Sequence, residues 1–120
     1  MSSEAYHERE DVLSDAAKDL HRALVSLKEE LDAVDWYQQR AEACVDADLR
    51  AVLLHNKNEE IEHAMMVLEW IRRRDPAFDA NVSRYLRSTG SIVQVEGGAA
   101  PAAERAASSS LGVGSLKGAR

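Results

Sequence analysis

The apolar residues Leu13, Ala16, Leu20, Leu24, Leu27, Leu31 and Val34 recur at steps of three and four, with polar and charged residues between them. That period belongs to an amphipathic helix. With no Gly or Pro to interrupt it, the spacing predicts a helix from about Tyr6 to Ala43. Val45-Asp46-Ala47 makes a short connection, in which Asp46 suits the N-cap of the next helix. A second helix follows to about Arg74, with Leu49, Val52, Leu53, Val67 and Ile71 on one face. Asp75-Pro76 pairs a capping residue with Pro at a first helical position. It predicts a shorter third helix, Ala77–Arg87, with Gly90 as its C-cap. Ile92, Val93 and Val95 make Ser91–Glu96 either an ordered arm or a short strand. Two long helices joined by a tight turn form an antiparallel hairpin, so the expected fold is all-α.

Two residues break the greasy face of the second helix. Glu60 and His63 fill the middle of its stripe, both within about 40° of the stripe's centre at ~100° per residue. A carboxylate and an imidazole aimed into a core are costly unless something compensates them. Glu-x-x-His is also half of the ligand set of di-iron carboxylate bundles, which hold two metals with two such pairs and two further glutamates. Metal binding is the chemistry this pattern points to.

In a hairpin turning near Asp46, positions equally far from the turn lie at similar height. The acidic run Glu29-Glu30-Leu31-Asp32 therefore falls beside the pair. Glu30 is rotated about 80° from the centre of the first helix's apolar stripe, Asp32 about 120°, and Glu29 lies nearly opposite it. Glu30, Glu60 and His63 are thus the expected ligands, and one hairpin supplies half of a two-metal site. A symmetric dimer would bring two hairpins together as a four-helix bundle, complete the site and bury both stripes. Carboxylate oxygen with imidazole nitrogen suits non-haem iron or manganese, and also zinc.

Charge and composition narrow the partners. Residues 1–96 hold 12 Lys and Arg against 20 Asp and Glu, an acidic body that draws cations and argues against nucleic acid. The one basic cluster, Arg72–Arg74, ends a helix, where cations favour the macrodipole. A single cysteine, Cys44, excludes an internal disulfide framework and fits a reducing cytosol. The N-terminus is polar and no apolar run is long enough to span a bilayer, so a cytoplasmic protein is expected. About 90 foldable residues are few for a stable monomer of this kind, which makes homo-oligomerisation the default.

The chain divides into a helical domain at 1–96, a Gly/Ala/Ser-rich flexible linker at 97–109 and a terminal peptide at 110–120. Leu111, Val113 and Leu116 form a small apolar motif interleaved with glycines, stranded at the end of a disordered tail. Such a motif either docks in a groove on another protein or does nothing. Nearer the ligands, Tyr37 falls on the same edge of its helix as Glu30, where it would donate a hydrogen bond to a ligand or act as a redox neighbour. Trp36 reads as amphipathic packing, Met65 and Met66 as packing or interface residues, and His21 and His55 as solvent-facing.

Together these segments resemble the encapsulated ferritins, the ferritin-like cargo of encapsulin nanocompartments. The resemblance rests on Glu29-Glu30-Leu31-Asp32-Ala33-Val34-Asp35-Trp36-Tyr37, His55-Asn56, Glu59-Glu60-Ile61-Glu62-His63-Ala64 and Leu68-Glu69-Trp70. The tail Leu111-Gly112-Val113-Gly114-Ser115-Leu116-Lys117 resembles the family's encapsulation peptide, which binds the inner wall of the shell. The resemblance implies half a ferritin per subunit, pairs that build a di-iron ferroxidase centre, and five pairs closing into a ring-shaped decamer. It implies Glu30, Glu60 and His63 as iron ligands, with Trp36 and Tyr37 as aromatics beside the centre. It implies Glu29 and Asp32 as a secondary acidic site on the path to it, where calcium is a further candidate ion. Asp32 stands where the family pattern leads one to expect glutamate.

The implied function is a ferroxidase, oxidising Fe(II) to Fe(III) for iron storage or detoxification inside the encapsulin lumen, within the cytoplasm. Two other readings of the residues stay open. One is a metal-binding or scaffolding hairpin without turnover. The other is a helical adaptor whose Glu60–His63 pair is only a hydrogen bond.

Overall fold

A computed structural model describes residues 5–98, and among these there is helix and no strand. They fall into two compact units, one ending at Arg74 and one beginning at Asp75.

The first unit is the antiparallel hairpin. A 3-10 turn at Glu10–Val12 precedes α1, which spans Asp15–Ala43. The helix starts nine residues later than the apolar period predicts, because the Ser14 hydroxyl accepts the Ala17 N–H at 3.0 Å and caps it there. The segment ahead of the cap is tied back to α1, with the Tyr6 ring 4.7 Å from that of His21. His21 is therefore half-buried in an aromatic contact, not solvent-facing as its sequence position suggests. Asp46 caps the next helix as expected, its carboxylate accepting the Leu49 N–H at 2.7 Å. That helix, α2, spans Ala47–Arg74.

Arg50 ties the turn together. Its guanidinium donates to the carbonyl oxygens of Ala41 and Cys44 at the end of α1. A second interhelical tie runs from the Lys57 ammonium to Gln38 Oε1 at 2.7 Å. The apolar contribution is thin. Ala41, Ala64 and Ile71 are the buried apolar side chains of this unit, while Leu31, Leu49, Val52, Met65 and Met66 are all half or more exposed. Two 40 Å helices with so little apolar surface removed from water are a poor independent fold.

The second unit holds α3, Pro76–Tyr85, and α4, Ile92–Glu96. Asp75 caps α3 by accepting the N–H groups of Ala77 and Phe78 at 2.9 and 3.2 Å. Replacing Asp75 with alanine is expected to destabilise this unit by about 1 kcal/mol, read as faster amide exchange at Ala77 and Phe78; unchanged exchange there contradicts the cap. The helix stops two residues before the predicted Arg87. The residue just past its cap that takes up the left-handed conformation is Arg87, at φ 67°, whereas Gly90, at φ 81°, belongs to the following turn.

Ser91–Glu96 is neither an extended arm nor a strand. A strand there would have no neighbour to complete its ladder, whereas Ser91 Oγ caps a short helix at the Gln94 N–H, 3.4 Å away. The Arg84 guanidinium then accounts for two of its terminal carbonyls, donating to Val95 and Glu96 at 3.0 Å each. Val95 is buried on this helix. Most of the linker and all of the 110–120 peptide, with Leu111, Val113 and Leu116, lie outside the described residues.

Candidate metal centre

The hairpin brings Glu30 of α1 beside Glu60 and His63 of α2, each offering one ligand atom, all within 4.8 Å of one another. His63 Nδ1 lies 3.1 Å from Glu60 Oε1 and 3.3 Å from Glu30 Oε2. The register set by the Asp46 turn puts Glu30 level with the pair, and the helical step of three puts Glu60 and His63 on one edge of α2. Glu29 and Asp32, by contrast, are exposed and make no ligand cluster with these three.

The electrostatics of the cluster favour positive charge. Burial pushes the Glu30 carboxyl up from its ordinary 4.5, and the hydrogen bond to Glu60 and the charges of Glu60 and Glu29 add to that rise. His63 is held above its ordinary 6.5 chiefly by its hydrogen bond to Glu60, with the charges of Glu30, Glu60 and Glu59 assisting. Beside that burial, the carboxylates gathered here favour the protonated forms of both groups, and a divalent cation would answer the same negative charge. Glu59 is thus an electrostatic contributor that the phasing of the helix did not single out.

A ligand set of two carboxylates and one imidazole suits a first-row divalent ion such as iron. Three ligands leave such an ion's coordination unfinished. The centre is also open: the side chains of Glu30 and Glu60 are about one quarter exposed, and that of His63 is 47% exposed. Metal and proton compete for these atoms, which fixes the sign of the pH dependence. Affinity for a spectroscopic probe such as Co(II) is expected to fall as the pH drops from about 8 to about 5, with protons released on loading. Calorimetric titration in two buffers of different ionisation heat measures that release, and pH-independent affinity contradicts ligation by His63 and Glu30.

The other sequence-predicted residues lie outside this cluster in the single chain. Trp36 is 52% exposed. The Tyr37 ring is half-buried under the Arg40 guanidinium, 5.3 Å from its centroid.

The family model described as EncFtn-like matches residues 5–89. The chain belongs to this family. An encapsulated ferritin-like protein of Rhodospirillum rubrum is 45% identical, over 98% of this chain and 91% of its own. A ferritin-like protein of Thermotoga maritima is 44% identical over 78% of this chain and 82% of its own. The encapsulin nanocompartment cargo protein EncC of Myxococcus xanthus is 35% identical over 78% and 80%. Among solved structures, protein ne0167 from Nitrosomonas europaea is 55% identical, with a TM-score of 0.71 over 73% of this chain and 97% of that one. The encapsulated ferritin-like hairpin is thus the setting in which the Glu30–Glu60–His63 cluster is to be understood. Among the described residues, no helix is long and apolar enough to cross a membrane.

Proposed function

We propose that this chain is a ferroxidase cargo of an encapsulin shell, oxidising Fe(II) to Fe(III) at a two-iron centre shared by two subunits. The observation that carries the proposal is the convergence of Glu30, Glu60 and His63 at the open face of a hairpin. One hairpin supplies half of the ligand set of a ferritin-like centre, and a facing copy supplies the rest. Such pairs close further into a ring, the homodecamer implied by the family. The cargo names of relatives support the shell as partner and its lumen as location.

Iron is the substrate. Glu30, Glu60 and His63 hold Fe(II) in competition with protons at Glu30 and His63, and carboxylate oxygens favour the harder Fe(III). Holding two ions side by side lets them deliver two electrons together. Each Fe(II) loses one electron, dioxygen takes both with two protons from solvent, and the products are two Fe(III) and one hydrogen peroxide. Three side-chain ligands per chain and an exposed His63 make a site that binds iron without trapping it. Glu29 and Asp32, on the exposed side of α1, attract incoming cations and are candidates for a secondary ion such as calcium.

The test is aerobic mixing of the metal-free protein with graded ferrous iron while ferric absorbance is followed. Fast oxidation is expected to continue past about one iron per subunit, the capacity of a two-iron site shared by two chains. A burst that stops there reduces the protein to a metal-binding hairpin, and no acceleration over buffer removes the redox role altogether.

A further inference from the structure

The turn at Asp46 decides which residues of α1 and α2 stand level, but not their spacing to a fraction of an ångström. A metal centre needs that precision, since its ligands must be held within about 0.5 Å of the productive geometry. Near the ligands the seam between the helices offers little to set it. Ala64, one residue past His63, is buried there, and so is Ala41 close to the turn. Methyl groups interlock weakly, so such a seam resists sliding poorly. Val34 and Leu53 are only half-buried. The firm anchors are remote. Arg50 lies ten residues before Glu60 and the fully buried Ile71 eleven after it, about 15 Å away on either side.

Charge works against the seam as well. Beside burial, it is Glu60 that raises the Glu30 carboxyl, by hydrogen bond and by charge, and Glu29 adds to it. Once both carboxyls are ionised to receive a metal, they repel across the seam.

A polar tie lies between the remote anchors. Lys57 Nζ donates to Gln38 Oε1 at 2.7 Å, in a half-buried contact from α2 to α1. Gln38 Nε2 in turn donates to Glu42 Oε2 at 2.6 Å, which sets the amide's orientation and leaves its oxygen for the ammonium. Lys57 stands three residues before Glu60, about 4.5 Å along α2, and Gln38 eight after Glu30, about 12 Å along α1. Helix side chains tilt towards the N-terminus, so the Lys57 stem reaches back towards the turn and spans the difference. The tie therefore acts less than one turn of α2 from the ligands, from outside the ligand set.

We propose that Lys57 is a positioning residue of the metal centre, its hold on Gln38 fixing Glu30 of α1 against Glu60 and His63 of α2 before the metal arrives. The proposal rests on the ligand reading above and adds what sets its geometry. A role through charge alone has the opposite sign. An ammonium near a cation site repels the cation, so its loss tightens binding, whereas loss of the tie loosens it.

Co(II) binding by the full metal-free chain, followed by visible absorption, tests this without turnover. Lys57→Met and Gln38→Leu each remove one half of the tie and put a good helix former in its place. Each is expected to weaken Co(II) binding about tenfold or more, the scale on which partners of metal ligands act, with helix content by circular dichroism unchanged. The double variant is expected to lose no more than either single one, because both changes break the same bond. Tighter binding by Lys57→Met makes the lysine a charge only and overturns the proposal. A lowered melting temperature with wild-type Co(II) affinity makes the tie a matter of stability and overturns it too, as do losses that add in the double variant. A wild-type chain that takes up no Co(II) overturns the ligand reading and the positioning role with it, whereas wild-type uptake with unmoved variants sinks the positioning role alone. Iron oxidation is measured separately, and the ferroxidase reading stands or falls on it.

Discussion

Replacing Glu60 with alanine abolishes iron oxidation, with an expected loss of at least about hundredfold, since even outer partners of metal ligands are worth 10–100-fold. Glu60 is the residue on which the cluster converges: it accepts from His63 Nδ1 at 3.1 Å and hydrogen-bonds Glu30. Its removal deletes a proposed ligand and the carboxylate that hydrogen-bonds the imidazole. Alanine is the best helix former and Glu60 lies mid-helix, so α2 persists. Two measurements separate loss of chemistry from loss of fold. Stopped-flow ferric absorbance reads turnover, and proton NMR of the metal-free protein reads His63, whose titration is expected to fall back towards 6.5 without its Glu60 partner. Oxidation at the wild-type rate in the variant rejects the site, and an unmoved His63 rejects the geometry on which it rests.

The hairpin was legible because its signals are local and agree with one another. The apolar period marks the two long helices, and Asp46 ahead of α2 and the Asp75-Pro76 pair each specify a boundary within a few residues. Antiparallel height then carried Glu30 to the side of Glu60 and His63, because a tight turn leaves the register little freedom. The start of α1 was missed for a physical reason: Leu13 continues the apolar period past the Ser14 cap. The helix at Ile92–Glu96 was missed because five residues carry too few turns for a period, and only Ser91 marks it.

The word core was the larger misjudgement. An amphipathic stripe indicates which face is apolar, not whether the same chain covers it. In the single chain Glu60 and His63 are not buried in an interior; they stand on an open face between exposed Leu49 and Val52 and an open groove at Trp70. Arg50 is not singled out by the sequence pattern, and Glu59 enters it only as a flank of the stripe. Arg50 acts through carbonyl oxygens at the end of α1, and Glu59 acts on His63 through charge alone. The Arg50 contacts leave no trace in residue spacing, whereas Glu59 stands four residues before His63, the step that makes helix neighbours.

Deleting Leu111–Arg120 is expected to abolish loading into encapsulin shells while leaving iron oxidation at the wild-type rate. The ligands lie on α1 and α2, and the deleted residues begin fourteen positions beyond Gly97, which closes α4. On the proposed reading the shell recognises the apolar side chains of Leu111, Val113 and Leu116. Co-expression with the shell protein, followed by purification of intact shells and a gel for cargo, measures the effect. Leu111→Asp and Leu116→Asp together are expected to reproduce the deletion, which separates recognition of the apolar side chains from mere tail length. Normal loading of the truncated chain assigns targeting to the helical domain instead. Loss of iron oxidation on truncation makes the tail part of the catalytic assembly, and the separation of address from chemistry fails.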